Sequence, residues 1–173
     1  MTFESRWIEW PDHVRLDDGG LAGGFRAAAV SAGIKQSGKT DLAVIFSDSD
    51  QTVSALRQTR SSAAAAPVLV NRELADSAAI RAAVVNSGNA NAATGEDGYA
   101  DALATRDTAA GLLEVAPESV SVYSTGVIGQ RLDAAAISAA LPGLVESLDA
   151  SGHAAAAEAI LTTDQGPKQI TAT

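Results

Sequence analysis

The sequence contains no cysteine in 173 residues, which removes disulfides, thiolate nucleophiles and cysteine-ligated zinc together. Aromatic residues are scarce at 4%, so few large rings are available to fill a core. Histidine occurs only at His13 and His153, and neither sits in an H-E-x-x-H arrangement. Glu158 follows His153 by five residues, off the i, i+4 face that a helical metal pair uses. Both histidines read as solvent-exposed or helix-capping, and no metal site is expected. Positive charge is short, with 12 Lys and Arg against 21 Asp and Glu and a formal net charge of −9. A field of that sign repels nucleic acid and anionic lipid, and no basic cluster offsets it. No apolar run approaches the roughly 20 residues of a membrane-spanning helix, and the opening MTFESRWIEWPD carries no basic-then-apolar secretory signal. These absences describe a cytoplasmic protein that binds neither nucleic acid nor membrane.

What is present is small and apolar. Hydrophobic residues make up 46% and charged residues 19%, which separates the chain from disordered sequences. Alanine runs at 63–66 and 154–157 dominate the apolar total. Alanine packs thin layers closely but buries little area, and area returns only roughly 25 cal/mol per Å². A modest core of Ala, Val, Leu and Ile makes a second chain or an oligomer more plausible than usual.

Residues 1–173 form a single domain, since neither a repeat nor a linker divides them. Strands are predicted at 24–32 (GFRAAAVSA), 42–46 (LAVIF), 80–86 (IRAAVVN) and 119–124 (SVSVYS), with a short extended piece at 67–70 (PVLV). Asn71 reads as the cap of a short helix through 79. A loop, SGNANAATGEDG, leads into a helix over 99–115, with Tyr99, Leu103, Ala110 and Leu113 at helical spacing. Asp133 is a good N-cap for the next helical stretch, which Pro142 is expected to divide into two. A last helix is predicted over 153–161. Strands and helices alternate, so the class is α/β or α+β with a layered mixed sheet.

Three segments could carry chemistry. GIKQSGKT, residues 33–40, matches G-x-x-x-x-G-K-[ST], the pattern of a phosphate-cradling loop. Such a loop needs a helix starting inside it to aim backbone N–H groups at the phosphates. Here Asp41-Leu-Ala-Val-Ile-Phe follows, which reads as a strand; a nucleotide-binding module and a hairpin turn with exposed Lys35 and Lys39 are the two readings. The other two segments leave strand ends: Asn86 to Asn91 (NSGNAN) and Ser124 to Gly129 (STGVIG). In the latter, Thr125 and Gly126 can aim a hydroxyl and a backbone N–H at one point, the geometry that holds a developing oxyanion. An ordinary Gly/Asn turn is the plainer alternative for each. No G-x-S-x-G marks a serine nucleophile.

Taken in order, GFRAAAVSAGIK, DLAVIFSD, AAPVLVNRE, IRAAVVNSGNANAATGEDGYADA, YSTGVIGQRL and AILTTDQGPKQ resemble the ornithine acetyltransferase family. Its members are bifunctional glutamate N-acetyltransferase / amino-acid acetyltransferase enzymes of arginine biosynthesis. The likeness runs from about residue 24 to 168; the first twenty residues and SALRQTRSS match poorly, the latter where the family usually carries a Val-Phe-Thr run. The resemblance implies a precursor that cleaves itself before a threonine, which becomes the N-terminal nucleophile of a β chain. This sequence resembles the α chain alone, sharing its active site with that β chain, usually as an α2β2 heterotetramer in a layered α/β/β/α arrangement. The family's Lys-Gly segment and Ala-Thr cleavage site are not found after PKQITAT, so the α chain is expected to be incomplete or to lack its tail. Ala172-Thr173 imitates the cleavage dipeptide without that context, and Thr173 is not assigned as nucleophile.

By the same resemblance, the Thr125 side chain and Gly126 amide form the oxyanion hole. Thr162 binds substrate, and Thr163 and Asp164 shape the same turn. The implied reaction moves acetyl from N-acetylornithine to glutamate by a ping-pong mechanism without metal or bound cofactor, with acetyl-CoA a second donor in bifunctional members. GIKQSGKT falls in the family's AGIK region, which makes its nucleotide pattern a coincidence. The alternatives are the nucleotide-binding module, a non-enzymatic partner-binding domain, and a related acyltransferase with another acylated amino acid.

Overall fold

The computed structural model describes residues 15–17 and 19–172; the expectations for His13, for the opening dozen residues and for Thr173 lie outside the described residues. A two-residue strand β1 (Leu16–Asp17) pairs with β6 (Thr171–Ala172) near the two ends of the chain. The main sheet has four strands, β2 (Phe25–Val30), β3 (Leu42–Ser47), β4 (Ala82–Asn89) and β5 (Val120–Val127), in that spatial order. β2 to β3 and β3 to β4 are antiparallel, whereas β4 and β5 run parallel. The parallel pair needs a crossover, supplied by α2 (Gly95–Leu113). This is the layered mixed sheet with helices that the alternation predicts.

Side chains alternate between the two faces of each strand. Leu42, Val44, Phe46, Ala82 and Val84 face α1 (Ala66–Leu74), α2 and α3 (Ala134–Glu146), where Ile137, Leu141 and Leu144 complete the larger core. The opposite face carries Ala27, Ala43 and Ile45 against α4 (His153–Ala159), a contact built mainly of alanine. That second layer is thin and ends early. Tyr123, Thr125 and Val127, which by the alternation share its side of β5, are exposed.

Several predicted elements shift. Residues 67–70 are not extended, and no helix runs from 71 to 79; instead α1 spans 66–74 with Pro67 in its first turn. Proline is at home there because its fixed φ suits a helix and its missing N–H would have had no partner. The β-branched run yields to tertiary packing, since as a helix it buries Val70 completely against the sheet. α3 is one helix despite Pro142; the Asp133 carboxylate accepts from Ala136 N at 2.9 Å as predicted, and Leu141 and Leu144 are buried on either side of the proline. α2 starts at Gly95, earlier than predicted, with Glu96 and Asp97 in its first turn, where acidic side chains complement the helix dipole. Of the predicted Tyr99, Leu103, Ala110 and Leu113, only Ala110 is buried; the others are half-buried, and the buried side is filled by Gly98, Asp101, Ala102, Thr105, Arg106 and Ala109.

Candidate functional site

The strands β4 and β5 continue beyond the predicted ends, so Asn86 to Asn89 and Thr125–Gly126 lie in strand rather than in free turns. Asparagines hold this end together. Asn86 Oδ1 accepts from Ser124 Oγ at 2.5 Å while its Nδ2 donates to Asn89 O at 2.9 Å. Asn89 Nδ2 donates to Gln130 O and Arg131 O, both at 3.1 Å, and its Oδ1 accepts from Asn91 N at 2.7 Å. All three asparagines are buried, and a buried polar network of this kind is rigid only when its members are satisfied. The segment around Thr125 is therefore mounted on a firm base.

Gly126 is confined by its neighbours. Its φ is +135°, and a Cβ there would lie 2.4 Å from Gly88 C and 2.6 Å from Asn89 N. Only glycine permits strands to approach so closely. A register shift follows, with Asn89 paired to both Thr125 and Val127. In the parallel pattern a residue flanked in this way turns its own amide away from the neighbouring strand. Four residues earlier, Val122 presents the same outer edge, and there the Asn71 side chain closes it: Nδ2 donates to Val122 O at 2.7 Å and Oδ1 accepts from Val122 N at 2.9 Å. Beyond that closure the edge is open, and Thr125 and Gly126 are exposed.

Thr125 stands directly across from Ser87 in the β4–β5 register, on the face that α4 covers. Ser87 is fully buried and its Oγ donates to the Ala159 carbonyl at the end of α4. Three residues further, Thr162 is exposed and lines an open cleft of about 520 Å³ together with Lys35, Lys39, Glu158 and Asp164. Asp164 is paired with Lys168, whose ammonium holds its carboxyl below the usual carboxylate range. Thr162 lines that cleft, whereas Thr125 and Gly126 do not; Ser87, across from Thr125 and bonded to Ala159, links the end of β5 to the end of α4.

The loop 31–41 is a hairpin connection closed by β3, with no helix in it. Its organiser is Asp41, fully buried, whose Oδ1 accepts from Ala32 N at 2.6 Å and whose Oδ2 accepts from Lys35 N at 2.8 Å. The predicted exposure holds for Lys39 but not for Lys35, which is half-buried. Lys35 Nζ donates to Thr40 O at 2.8 Å and Ala159 O at 3.2 Å. Burial pushes its pKa below the ordinary lysine value, against the opposing pull of Asp41. Lysine 35 was drawn inward by carbonyls 5 and 124 residues away, and the second of these leaves no trace in local sequence. His153 opens α4 half-buried rather than exposed or capping; the N-cap position belongs to Gly152. Among the described residues no group of three His, Asp or Glu converges as metal ligands would, and no helix is long and apolar enough to cross a membrane.

Residues 26–173 match the ArgJ family. The chain is 43% identical over 154 residues to the arginine biosynthesis bifunctional protein ArgJ of Synechococcus sp., across 88% of this chain and 37% of that protein. To the chloroplastic ArgJ of Zea mays it is 43% identical over 158 residues, covering 88% of this chain and 34% of that protein. Its fold is similar to that of the ornithine acetyltransferase crystallised with ornithine from Mycobacterium tuberculosis, with a TM-score of 0.86, 40% identity, and coverage of 91% of this chain and 86% of that one. The ArgJ crystal structure from Bacillus halodurans gives a TM-score of 0.77 at 32% identity, over 89% and 83% of the two chains. The chain therefore spans little more than a third of its curated relatives, yet most of the length of the crystallised chains it resembles.

Proposed function

Because this chain belongs to the ArgJ family, we propose that it is the α chain of an ornithine/glutamate N-acetyltransferase of arginine biosynthesis, a single domain working in the cytoplasm with a β chain cut from the same precursor. The mismatch in lengths supports two chains: the curated relatives are far longer than this one, whereas the crystallised ornithine acetyltransferase chain is nearly the same size. The surface supports a companion. Val127 is 50% exposed and Ile128 68% exposed beside Thr125, and large apolar side chains gathered at an open strand edge mark an interaction surface. An α2β2 assembly would double this arrangement.

In the reaction we propose, the β-chain threonine Oγ attacks the acetyl carbonyl of N-acetylornithine while its own α-amino group takes the hydroxyl proton. Negative charge gathers on the carbonyl oxygen. The Thr125 hydroxyl and Gly126 N–H donate to it, and donors already fixed in place require no reorganisation as the charge develops. The tetrahedral intermediate collapses, the C–N bond breaks, and ornithine departs with the proton on its amine. The acetyl group is left as an ester on the threonine. The amine of glutamate attacks that ester, the same two donors act again, and N-acetylglutamate leaves the regenerated threonine. Thr162 contributes to holding the amino-acid part of the substrate. Each step uses a nucleophile, a proton acceptor and oxyanion donors, so we assign no bound cofactor; acetyl-CoA would enter as an alternative acetyl donor.

One observation carries this reading: Gly126, at φ +135° and backed by Gly88 too closely for any side chain, lies exposed at the strand edge next to the exposed Thr125. The test is acetyl transfer from N-acetylornithine by the two chains expressed together. Thr125→Ala is expected to slow transfer about 10²–10³-fold while leaving stability within about 0.5 kcal/mol, as for other exposed positions. Unchanged turnover would remove Thr125 from the chemistry.

A further inference from the structure

The last carbonyl of a helix has no partner inside that helix, and water commonly satisfies it. Ala159, the final residue of α4, is treated differently. Its oxygen accepts from two side chains at once, Ser87 Oγ and Lys35 Nζ. Lys35 Nζ also donates to Thr40 O in its own loop, but neither local structure depends on the bond to Ala159. The hairpin 31–41 is already closed by the two bonds to Asp41, and Ser87 lies in a strand whose pairing is complete without its hydroxyl. Both donors also touch the oxyanion end. Ser87 is the cross-strand partner of Thr125, and the Lys35 stem lies against Gly88, where an added Cβ would come within 3.1 Å of Lys35 Cγ. Gly88 in turn is the residue that confines Gly126.

Two residues that meet the Thr125–Gly126 strand pair on one side therefore grip the end of α4 on the other. The chain leaves that grip at Ala159 and reaches Thr162 three residues later, in the cleft that Lys35 also lines. We infer that Lys35 and Ser87 are positioning residues: by holding the Ala159 carbonyl they fix Thr162 relative to Thr125 and Gly126, and so set substrate binding without touching the reacting atoms. This rests on the function proposed above. A charged donor suits the task, because hydrogen bonds from an ammonium are stronger than neutral ones. The lysine keeps a third donor beyond the two carbonyls it serves. The depressed lysine pKa is consistent with an amine engaged within the protein rather than in water.

Steady-state kinetics of the assembled two-chain enzyme with N-acetylornithine test this. Lys35→Met keeps the stem that packs on Gly88 and deletes the donors. It is expected to raise KM about tenfold with kcat changed less than about threefold, the pattern of lost ground-state binding. Ser87→Ala should shift KM the same way by a smaller factor, and it stands as the test if Lys35→Met fails to assemble. Thr162→Ala should raise KM, and adding Lys35→Met to it should change KM little further, since both act through one contact. A merely structural role would lower active enzyme, and hence kcat, at constant KM. That result, an unchanged KM in both variants, or a double variant whose KM effects multiply would overturn the inference. Wild-type chains that assemble but transfer no acetyl group would instead refute the proposed function itself.

Discussion

The loop joining β2 to β3 and the paired ends of β4 and β5 leave the same sheet, and both are rich in glycine, yet glycine serves different ends in them. In the first, Gly33 and Gly38 have φ of +84° and +70°, and an added Cβ would meet nothing within 4 Å. Those glycines let the backbone turn and nothing more. In the second, a Cβ added at Gly126 would lie 2.4 Å from the carbonyl carbon of Gly88, so glycine there sets how closely two strands approach. The first loop is held by a buried carboxylate, Asp41, that accepts two of its amides. Its N–H groups are thereby turned toward a group inside the protein. The second is held from behind by asparagines, and its Thr125 and Gly126 are exposed. An array of backbone donors becomes a binding site only when its own protein has not already claimed it.

Three substitutions probe this contrast. Gly126→Ala is expected to have the largest effect, about 3–5 kcal/mol of stability or outright loss of the folded chain, because rigid backbone must move and the φ is foreign to an L side chain. Chemical denaturation measures it; a cost below about 1 kcal/mol would show that the two strands separate easily and that the close approach is incidental. Gly33→Ala should cost only about 1 kcal/mol, the penalty of a left-handed conformation without a clash. An effect as large as that at Gly126 would erase the distinction between the two loops. Lys39→Ala should be the mildest, within about 0.5 kcal/mol for an exposed residue. Titration of the wild-type chain with ATP and Mg²⁺ should show no saturable binding for that substitution to abolish. Micromolar binding lost in Lys39→Ala would restore the phosphate-cradling reading of GIKQSGKT.

Much of the scaffold was legible along the chain. β2 and β3 stand where their apolar runs, bounded by glycine and by Ser47-Asp48, predict them. Asp133 caps α3 as its position before Ala134 suggests. The strand after Thr40 was readable too, which is why the nucleotide pattern loses its helix. Misreadings cluster where a local preference met a distant partner. PVLV looks extended by β-propensity and Asn71 looks like a helix cap, but Asn71 bonds Val122, 51 residues away, from inside a helix that spans 66–74. Pro142 looks like a break, but the buried leucines around it keep one helix. Lys35 looks like a surface cation, but its partner belongs to α4.

By itself, then, the order of residues placed most of the strands and helices, excluded thiol chemistry, and singled out Thr125–Gly126 as a candidate segment for presenting a hydroxyl and an amide together. These depend on side-chain period, backbone freedom and residue type, all of which act over a few neighbours. Only the tertiary structure decided that Gly126 lies against Gly88, that Asn71 closes the sheet edge up to Val122 and no further, and that Lys35 and Ser87 meet at the carbonyl of Ala159. Those are contacts between residues far apart in the chain, and their energies exist only once the layers have packed.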